Sequence, residues 1–466
     1  MTVSIARKIA FDVLLRVAAQ NAYADEALRG ALGPKVNRED AGLATELTFG
    51  VLRWQRLLDF RIDRHLTKTS KSLDDEVRIA LRLAAYQLFF LERIPARAAV
   101  HESVELVKLA RKRSAAPLVN AVLRKAAKDA DTKVPPIDAV AALLPENLPL
   151  AERLGIQHSH PTWLVERWLR AFGESRTKTL LGANNRVPAL SGYIVAPLHR
   201  EEALASLQKA GCTLRPGRLL RDAWILEGGN PSDSEIARRG WLAIQDEASQ
   251  AVAQLVAARP GNSVLDVCAA PGGKTLRLAL DAGPTGHVIA ADVHPHRVRA
   301  MAERFGRAGI GNVETLVLDA MKPLPFEKKF DRILVDAPCS GTGTLARHPE
   351  IRWRLRPEDL PNLRARQTLL LRNALPHLAP GGRLVYSTCS LEPEENESVI
   401  AAAVKELENA IEVVSARSAI ENLLQKTVSA DSVVDADGFF RTFPGEQETD
   451  GFFACVLQHT RETTKI

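Results

Sequence analysis

Two cysteines stand where strand-like runs end. Cys339 lies in "DAPCSGTG", Asp336 to Gly343, directly after the apolar "RILV"; Cys389 lies in "LVYSTCSLEPEENE", Leu384 to Glu397. Taken singly, a free cysteine is more often an inert core residue, because Cys is among the most buried residue types. As a pair these two read differently. Sequential strands are usually neighbours in a sheet, so both thiols can reach one pocket, beside Asp336 and a polar "STCS" turn. Paired thiols suggest covalent catalysis. The remaining cysteines, Cys212, Cys268 and Cys455, are scattered, with no C-x-x-C pair and no His-rich tract. Neither a disulfide framework nor a zinc module is indicated, and no metal is expected.

A second set of residues surrounds "CAAPGGKT", Cys268 to Thr275. Pro271, Gly272 and Gly273 let backbone approach a ligand closely before a helix expected to start at about Lys274. The run is neither a Walker loop nor G-x-G-x-x-G. A carboxylate about 20 residues beyond such a turn can accept from a ribose diol, and Asp292 lies 19 residues after Gly273. Asp319 ends the next strand and is placed for an adenine amino group. The candidate cofactor-binding set is therefore Cys268, Ala269, Ala270, Pro271, Gly272, Gly273, Lys274, Asp292, Asp319 and Asp336, and it implies a nucleoside cofactor. Each Asp alone is an ordinary turn carboxylate; three at successive strand ends favour a site.

The elements that must carry these residues are legible in the rhythm of the chain. "SVLDVCA", "HVIAADV", "VETLVLD", "DRILVDA" and "GGRLVYST" are short Val/Ile/Leu-rich runs separated by helical stretches. Buried parallel strands in βαβ units produce this texture, and ligands of such sheets sit at the carboxyl ends of the strands. The fold class is α/β: a Rossmann-like, doubly wound sheet over residues 236–460. Residues 1–135 show helix spacing, as at Ile5, Ile9, Val13 and Val17, and read as an all-α bundle. A proline-punctuated linker follows, and residues 150–235 read as a small α+β lobe.

At 466 residues the chain exceeds one ordinary hydrophobic core. It is 46 % hydrophobic and 25 % charged, a globular composition. It lacks a long uncharged apolar run or a signal-peptide pattern, so no membrane association and a cytoplasmic location are expected. Residues 1–138 hold 24 Lys and Arg against 17 Asp and Glu, whereas the remainder holds 38 against 39. A basic N-terminal third suits a polyanion partner. No obligatory protein partner is evident.

"DVCAAPGGKT", "DAPCSGTG" and "YSTCSLEPEENE" resemble the signatures of S-adenosylmethionine-dependent RNA cytosine-C5 methyltransferases. Together with a basic, NusB-like helical segment, the chain is similar to the bacterial 16S rRNA methyltransferase B family over nearly its whole length. The resemblance implies S-adenosyl-L-methionine as cofactor and RNA, most naturally 16S rRNA, as partner. It implies Cys389 as the nucleophile that adds to cytosine C6, Cys339 as the residue that releases product, and Asp336 as the partner of the cytosine N3/N4 edge. It also makes residues 150–235 an RNA-recognition-like lobe. The alternatives are a tRNA cytosine-C5 methyltransferase, a non-catalytic RNA-binding assembly factor, which has no physical need for paired thiols, and a small-molecule dehydrogenase, which the missing G-x-G-x-x-G disfavours.

Two further stretches carry expectations. Glu392 to Glu397 are expected to begin a helix whose dipole favours carboxylates, and to do no chemistry. "RHPEIRWRLRPEDL", Arg347 to Leu360, mixes arginines with Trp353; it suits either stacking of single-stranded RNA or a helix with its tryptophan in a core.

Overall fold

The computed structural model describes residues 3–33, 35–130, 135–195, 199–405 and 410–460. The chain forms two compact units, Met1–Arg186 with Leu345–Leu355, and Val187–Thr344 with Arg356–Ile466. The first unit is helical. Its helices include Ile5–Gln20, Arg38–Asp63, Asp75–Phe90, Ala96–Leu109 and Ala116–Lys128. Asp75–Phe90 is buried nearly all round from Ile79 to Phe89, as befits the central helix of a bundle. Ile5–Gln20 buries Ala6, Ala10, Val13, Leu14 and Val17. Ile5 is 54 % exposed. It stands one residue, about 100° of helix, away from the true stripe, which small alanines make less visible than the isoleucines do.

Several arginines of the basic segment are interior. Arg7 pairs with Glu102 at 2.9 Å and Arg82 makes two hydrogen bonds of 2.7 Å to Asp59. Arg61 donates to the Asp129 carbonyl at 2.9 Å and lies over the Phe89 ring. Part of the positive excess is thus structural.

The segment Leu345–Leu355 also belongs to this unit. Arg352 is fully buried and donates to the carbonyls of Ser159 (3.1 Å) and Asn184 (3.0 Å) and to Asn185 Oδ1 (2.9 Å). Trp353 Nε1 donates to the Leu52 carbonyl at 2.7 Å, and Arg354 donates to that of Ala22. These side chains are tied to protein carbonyls. The expectation of RNA stacking is corrected for these side chains, and so is that of a solvated helix with a core tryptophan, because Arg352 is interior and Trp353 is half-buried.

The second unit contains two sheets. In the smaller, β1 (Leu190–Ile194), β2 (Thr213–Pro216), β3 (Trp224–Glu227) and β4 (Leu242–Ile244) lie in the order β2-β3-β1-β4, all antiparallel. Residues 150–235 thus run through both units, since helices Leu150–Gln157 and Thr162–Asn184 lie in the first.

The larger sheet is built from β5 (Ser263–Asp266), β6 (His287–Asp292), β7 (Val313–Val317), β8 (Phe330–Asp336), β9 (Leu378–Thr388), β10 (Ile411–Val414), β11 (Phe440–Thr442) and β12 (Phe452–His459). Its order is β10-β12-β9-β8-β5-β6-β7, with β11 on β12. β5 to β9 are parallel, and β12 runs antiparallel between β9 and β10. Val264, Leu265, Ile333, Leu334, Val335, Leu384 and Val385 are buried, which is why these strands read as continuous apolar runs. This is a Rossmann-like, mixed sheet. Strand order reverses between β5 and β8, so the crevice at their carboxyl ends is the place for a ligand.

Candidate active site

β8 and β9 pair in parallel with Asp336 opposite Ser387. Cys339 and Cys389 therefore emerge from the same rim, and their sulfurs lie 3.3 Å apart, both half-buried. Backbone bonds continue the contact past the sheet: Ala337 N–H donates to the Ser387 carbonyl and Gly343 N–H to the Cys389 carbonyl, each at 2.9 Å. Gly343 allows this approach. A Cβ there would lie 2.1 Å from the Gly451 carbonyl oxygen.

The glutamates after Cys389 behave differently from expectation. The helix begins only at Glu397, and Asn396 before it is non-helical. Glu392 and Glu395 are buried rather than displayed around a helix start. Glu395 Oε1 accepts from Ser340 N–H and Gln367 Nε2, both at 2.8 Å, and its Oε2 accepts from the hydroxyls of Ser340 and Ser390. The acid run is structural here, but through buried hydrogen bonds and not through a helix dipole.

Asp336 is held on both oxygens: Oδ2 is 2.7 Å from Lys274 Nζ, and Oδ1 accepts from Ser387 Oγ at 2.7 Å. Burial opposes the charge on Lys274, yet the Asp336 carboxylate, by charge and hydrogen bond, together with Cys389 and Asp266, outweighs it and raises the ammonium above its ordinary range. Lys274 Nζ also stands 5.1 Å over the Phe452 ring. The Cys339 thiol is pushed well above its ordinary value, first by its hydrogen bond with Cys389 and then by burial.

A cavity opens at the ends of β5 and β8. Cys268, Ala269, Ala270, Pro271, Gly273, Lys274 and Asp336 line it, together with Asp266, Gln245, Ser249 and Arg304. Gly272 does not line it; it turns the chain at φ +89°, where a Cβ would press on the Phe305 ring at 3.0 Å, and so opens the helix Gly273–Ala282. Burial holds the Cys268 thiol protonated. Asp292 and Asp319 lie at the ends of β6 and just beyond β7, outside this lining. Asp292 Oδ1 accepts from His294 N–H at 2.8 Å and Asp319 Oδ1 from Met321 N–H at 3.1 Å, the turn role each could take alone.

The cavity contains acceptors that sequence reasoning missed. Asp266 is buried and lifted to about 7 by desolvation, with Thr275 bonded to Oδ2 at 2.7 Å and nothing bonded to Oδ1. Gln245 Oε1 is likewise buried without a partner. Two orphaned acceptors fit a ligand ammonium group, such as that of the amino acid end of S-adenosylmethionine. An acid inside the apolar run "SVLDV" is a visible signal for Asp266. Gln245, Ser249 and Arg304 sit in no motif.

Among the described residues, Asp25, His348 and Glu350 form one group with metal-ligand spacing. Glu350 caps a helix by accepting from Ala24 N–H at 3.0 Å, Asp25 faces Arg29 at 3.7 Å, and Arg352 lies in the field of Glu350. Glu350 Oε2 and His348 Nδ1 are buried without a hydrogen-bond partner, and the group is assigned no metal.

Three family descriptions match the chain in order: "NusB family" over residues 4–128, "Methyltr_RsmF/B-like, ferredoxin-like domain" over 160–233, and "16S rRNA methyltransferase RsmB/F" over 253–458. The probable ribosomal RNA small subunit methyltransferase B of Bacillus subtilis (strain 168) is 32 % identical over 457 residues, covering 97 % of this chain and 98 % of its own. The ribosomal RNA small subunit methyltransferase B of Pseudomonas putida (strain KT2440) is 36 % identical over 376 residues, covering 79 % and 82 %. Among solved structures, that of PH0851 matches with a TM-score of 0.78 at 25 % identity, covering 98 % of this chain and 99 % of its own.

Proposed function

We propose, on the premise that this chain belongs to the RsmB/F family of 16S rRNA methyltransferases, that its S-adenosylmethionine-dependent reaction places the methyl group on C5 of a cytosine in 16S rRNA, through a covalent adduct between Cys389 and cytosine C6. The observation that carries the reading is the pair of sulfurs 3.3 Å apart on one rim with Asp336. In this reading residues 1–135 and 150–235 recognise RNA and residues 236–460 perform the chemistry, in the cytoplasm.

Cytosine C5 is a poor nucleophile. Addition of the Cys389 thiolate to C6, with N3 taking a proton, moves an electron pair to C5. Asp336 faces the N3/N4 edge, oriented by Lys274 and Ser387. S-adenosylmethionine would supply the electrophilic methyl group, and the chain's cavity residues would hold it: Asp266 and Gln245 at its ammonium, with Cys268, Ala269, Ala270, Pro271, Gly273 and Lys274 around it. In this scheme Asp292 and Asp319 serve the ribose and adenine.

Release needs a base to take the C5 proton, so that the C5–C6 double bond re-forms, the C6–S bond returns its electrons to Cys389, and N3 gives back the proton it took on addition. The strongest influence holding the proton on Cys339 is its hydrogen bond with Cys389. Adduct formation at Cys389 removes that bond, and Cys339, once its own thiol proton has passed to solvent, is the base that takes the C5 proton.

With labelled S-adenosylmethionine and rRNA, Cys389→Ala is expected to lose methylation, and Cys339→Ala to accumulate an RNA–protein adduct that survives denaturing electrophoresis. Full turnover by Cys389→Ala would overturn the reading. A parallel arm with tRNA tests the substrate class.

A further inference from the structure

The sheet pairing that aligns β8 with β9 ends at Asp336 and Ser387, before either sulfur. What holds the thiols face to face lies beyond it. Ser340 follows Cys339 directly, Ser390 follows Cys389 directly, and their hydroxyls lie 3.0 Å apart. Both point to one carboxylate, that of Glu395, which also takes the Ser340 backbone N–H and is steadied from the far side by Gln367. Neighbouring Asn396 grips only the Cys389 loop: it accepts from Thr388 Oγ1 at 2.6 Å and donates to the Ser390 carbonyl at 2.9 Å.

Glu395 is fully buried, and no Lys or Arg forms a salt bridge with it among the described residues. A buried carboxylate answered only by hydrogen bonds is costly compared with an apolar side chain. Its charge also adds to what keeps Cys339 protonated, behind Cys389 and burial, while Gly341 N–H acts the other way.

We infer that Glu395 is the positioning residue of the thiol pair: one buried carboxylate, shared by Ser340 and Ser390, sets the spacing and facing of the loops that carry Cys339 and Cys389. The inference deepens the proposed reaction and rests on it only for the kinetic readout. Facing of the sulfurs is measurable without RNA.

The probe is phenylarsine oxide, whose arsenic forms two As–S bonds with a facing dithiol and releases one water. The full-length reduced protein is expected to bind one equivalent, and either single Cys→Ala variant to lose dithiol-type affinity. Glu395→Ala leaves buried donors without an acceptor and is expected to weaken arsenical binding about tenfold or more. Its kcat is expected to fall by a similar factor, with KM for S-adenosylmethionine and RNA held within about twofold.

Glu395→Gln is the conservative rescue. Its carbonyl serves Ser340 N–H and Gln367, and its amide donates to the two hydroxyls, which rotate to accept. It should restore the arsenical affinity that Glu395→Ala loses. If Glu395→Ala fails to fold, Ser340→Ala/Ser390→Ala cuts the hydroxyl ties while leaving the Ser340 N–H and Gln367 bonds, and an intermediate loss is expected.

Wild-type arsenical affinity in Glu395→Ala, or in the double serine variant, overturns the inference, as does a wild-type chain that binds no arsenical. Failure of the unaltered enzyme to methylate cytosine would count against the functional proposal alone, because the arsenical measurement contains no RNA.

Discussion

Asp266 shows at a single residue how burial can be turned to binding. Desolvation lifts it from 3.8 to about 7, and the residue lines the cavity. A carboxylate raised in the folded state contributes an unfavourable charge that is absent below its unfolded value and fully present above the folded one. Asp266 therefore lowers stability as pH rises from about 4 through 7. A docking ammonium needs the ionised form, so S-adenosylmethionine should bind more tightly as pH rises toward 7 and more weakly again above about 8, where its own α-amino group loses the proton. The acidic limb approaches about tenfold per pH unit. Calorimetric titration at pH 6, 7 and 8 measures this. Asp266→Asn should flatten the acidic limb, weaken binding by roughly tenfold or more, and raise the melting temperature at pH 8. A pH-independent wild-type affinity would show that the ammonium is held elsewhere.

At the scale of elements, Leu345–Leu355 is a short piece of chain that supplies interior contacts to the helical unit. The Arg352 guanidinium is buried against the carbonyls of Arg53, Ser159 and Asn184, all distant in sequence, and that of Leu345 in its own segment. Removing it leaves several acceptors dry. Arg352→Ala is expected to destabilise the helical unit by ~3 kcal/mol, lowering its thermal transition by roughly 6–12 °C for a unit of this size. Differential scanning calorimetry of the full chain reads the shift; a transition moved by less than a degree would contradict the structural role. The same segment marks where sequence reading stops. Strands β5, β6, β8 and β9 are legible because burial leaves largely unbroken apolar runs, and Cys339 and Cys389 are legible because each follows such a run. Arg352 looks solvent-facing in sequence, since a charged side chain carries no sign of the carbonyls that will enclose it. Gln245 is hidden for a related reason: β4 before it is short, and its neighbour Gly273 begins a helix distant in sequence. Asp292 and Asp319 occur at the expected strand ends, yet each commits an oxygen to the following turn.

Across the whole molecule the decisive quantity is where positive charge remains available once interior pairs are subtracted. Residues 1–138 carry an excess of 7 positive charges and the rest a deficit of 1. Arg7, Arg61 and Arg82 are buried, so counting basic residues overstates what RNA can meet. Arg124, Lys125 and Lys128 are exposed in the last turns of the helix Ala116–Lys128. Cations at a helix C-terminus also favour the dipole, by only about 0.3–1 kcal/mol each, so their loss should leave the fold intact. If they meet phosphates, each contact releases counterions, and the log–log slope of RNA affinity against salt reports their number at about 0.7 to 0.9 per contact. Replacing all three by alanine is therefore expected to reduce that slope by roughly 2, raise KM for RNA at moderate salt, and leave kcat and S-adenosylmethionine affinity unchanged. Filter binding of an rRNA fragment across a salt series measures it. A slope equal to that of the unaltered chain would mean that this helix end faces solvent only, and that RNA is gripped by other surfaces of the protein.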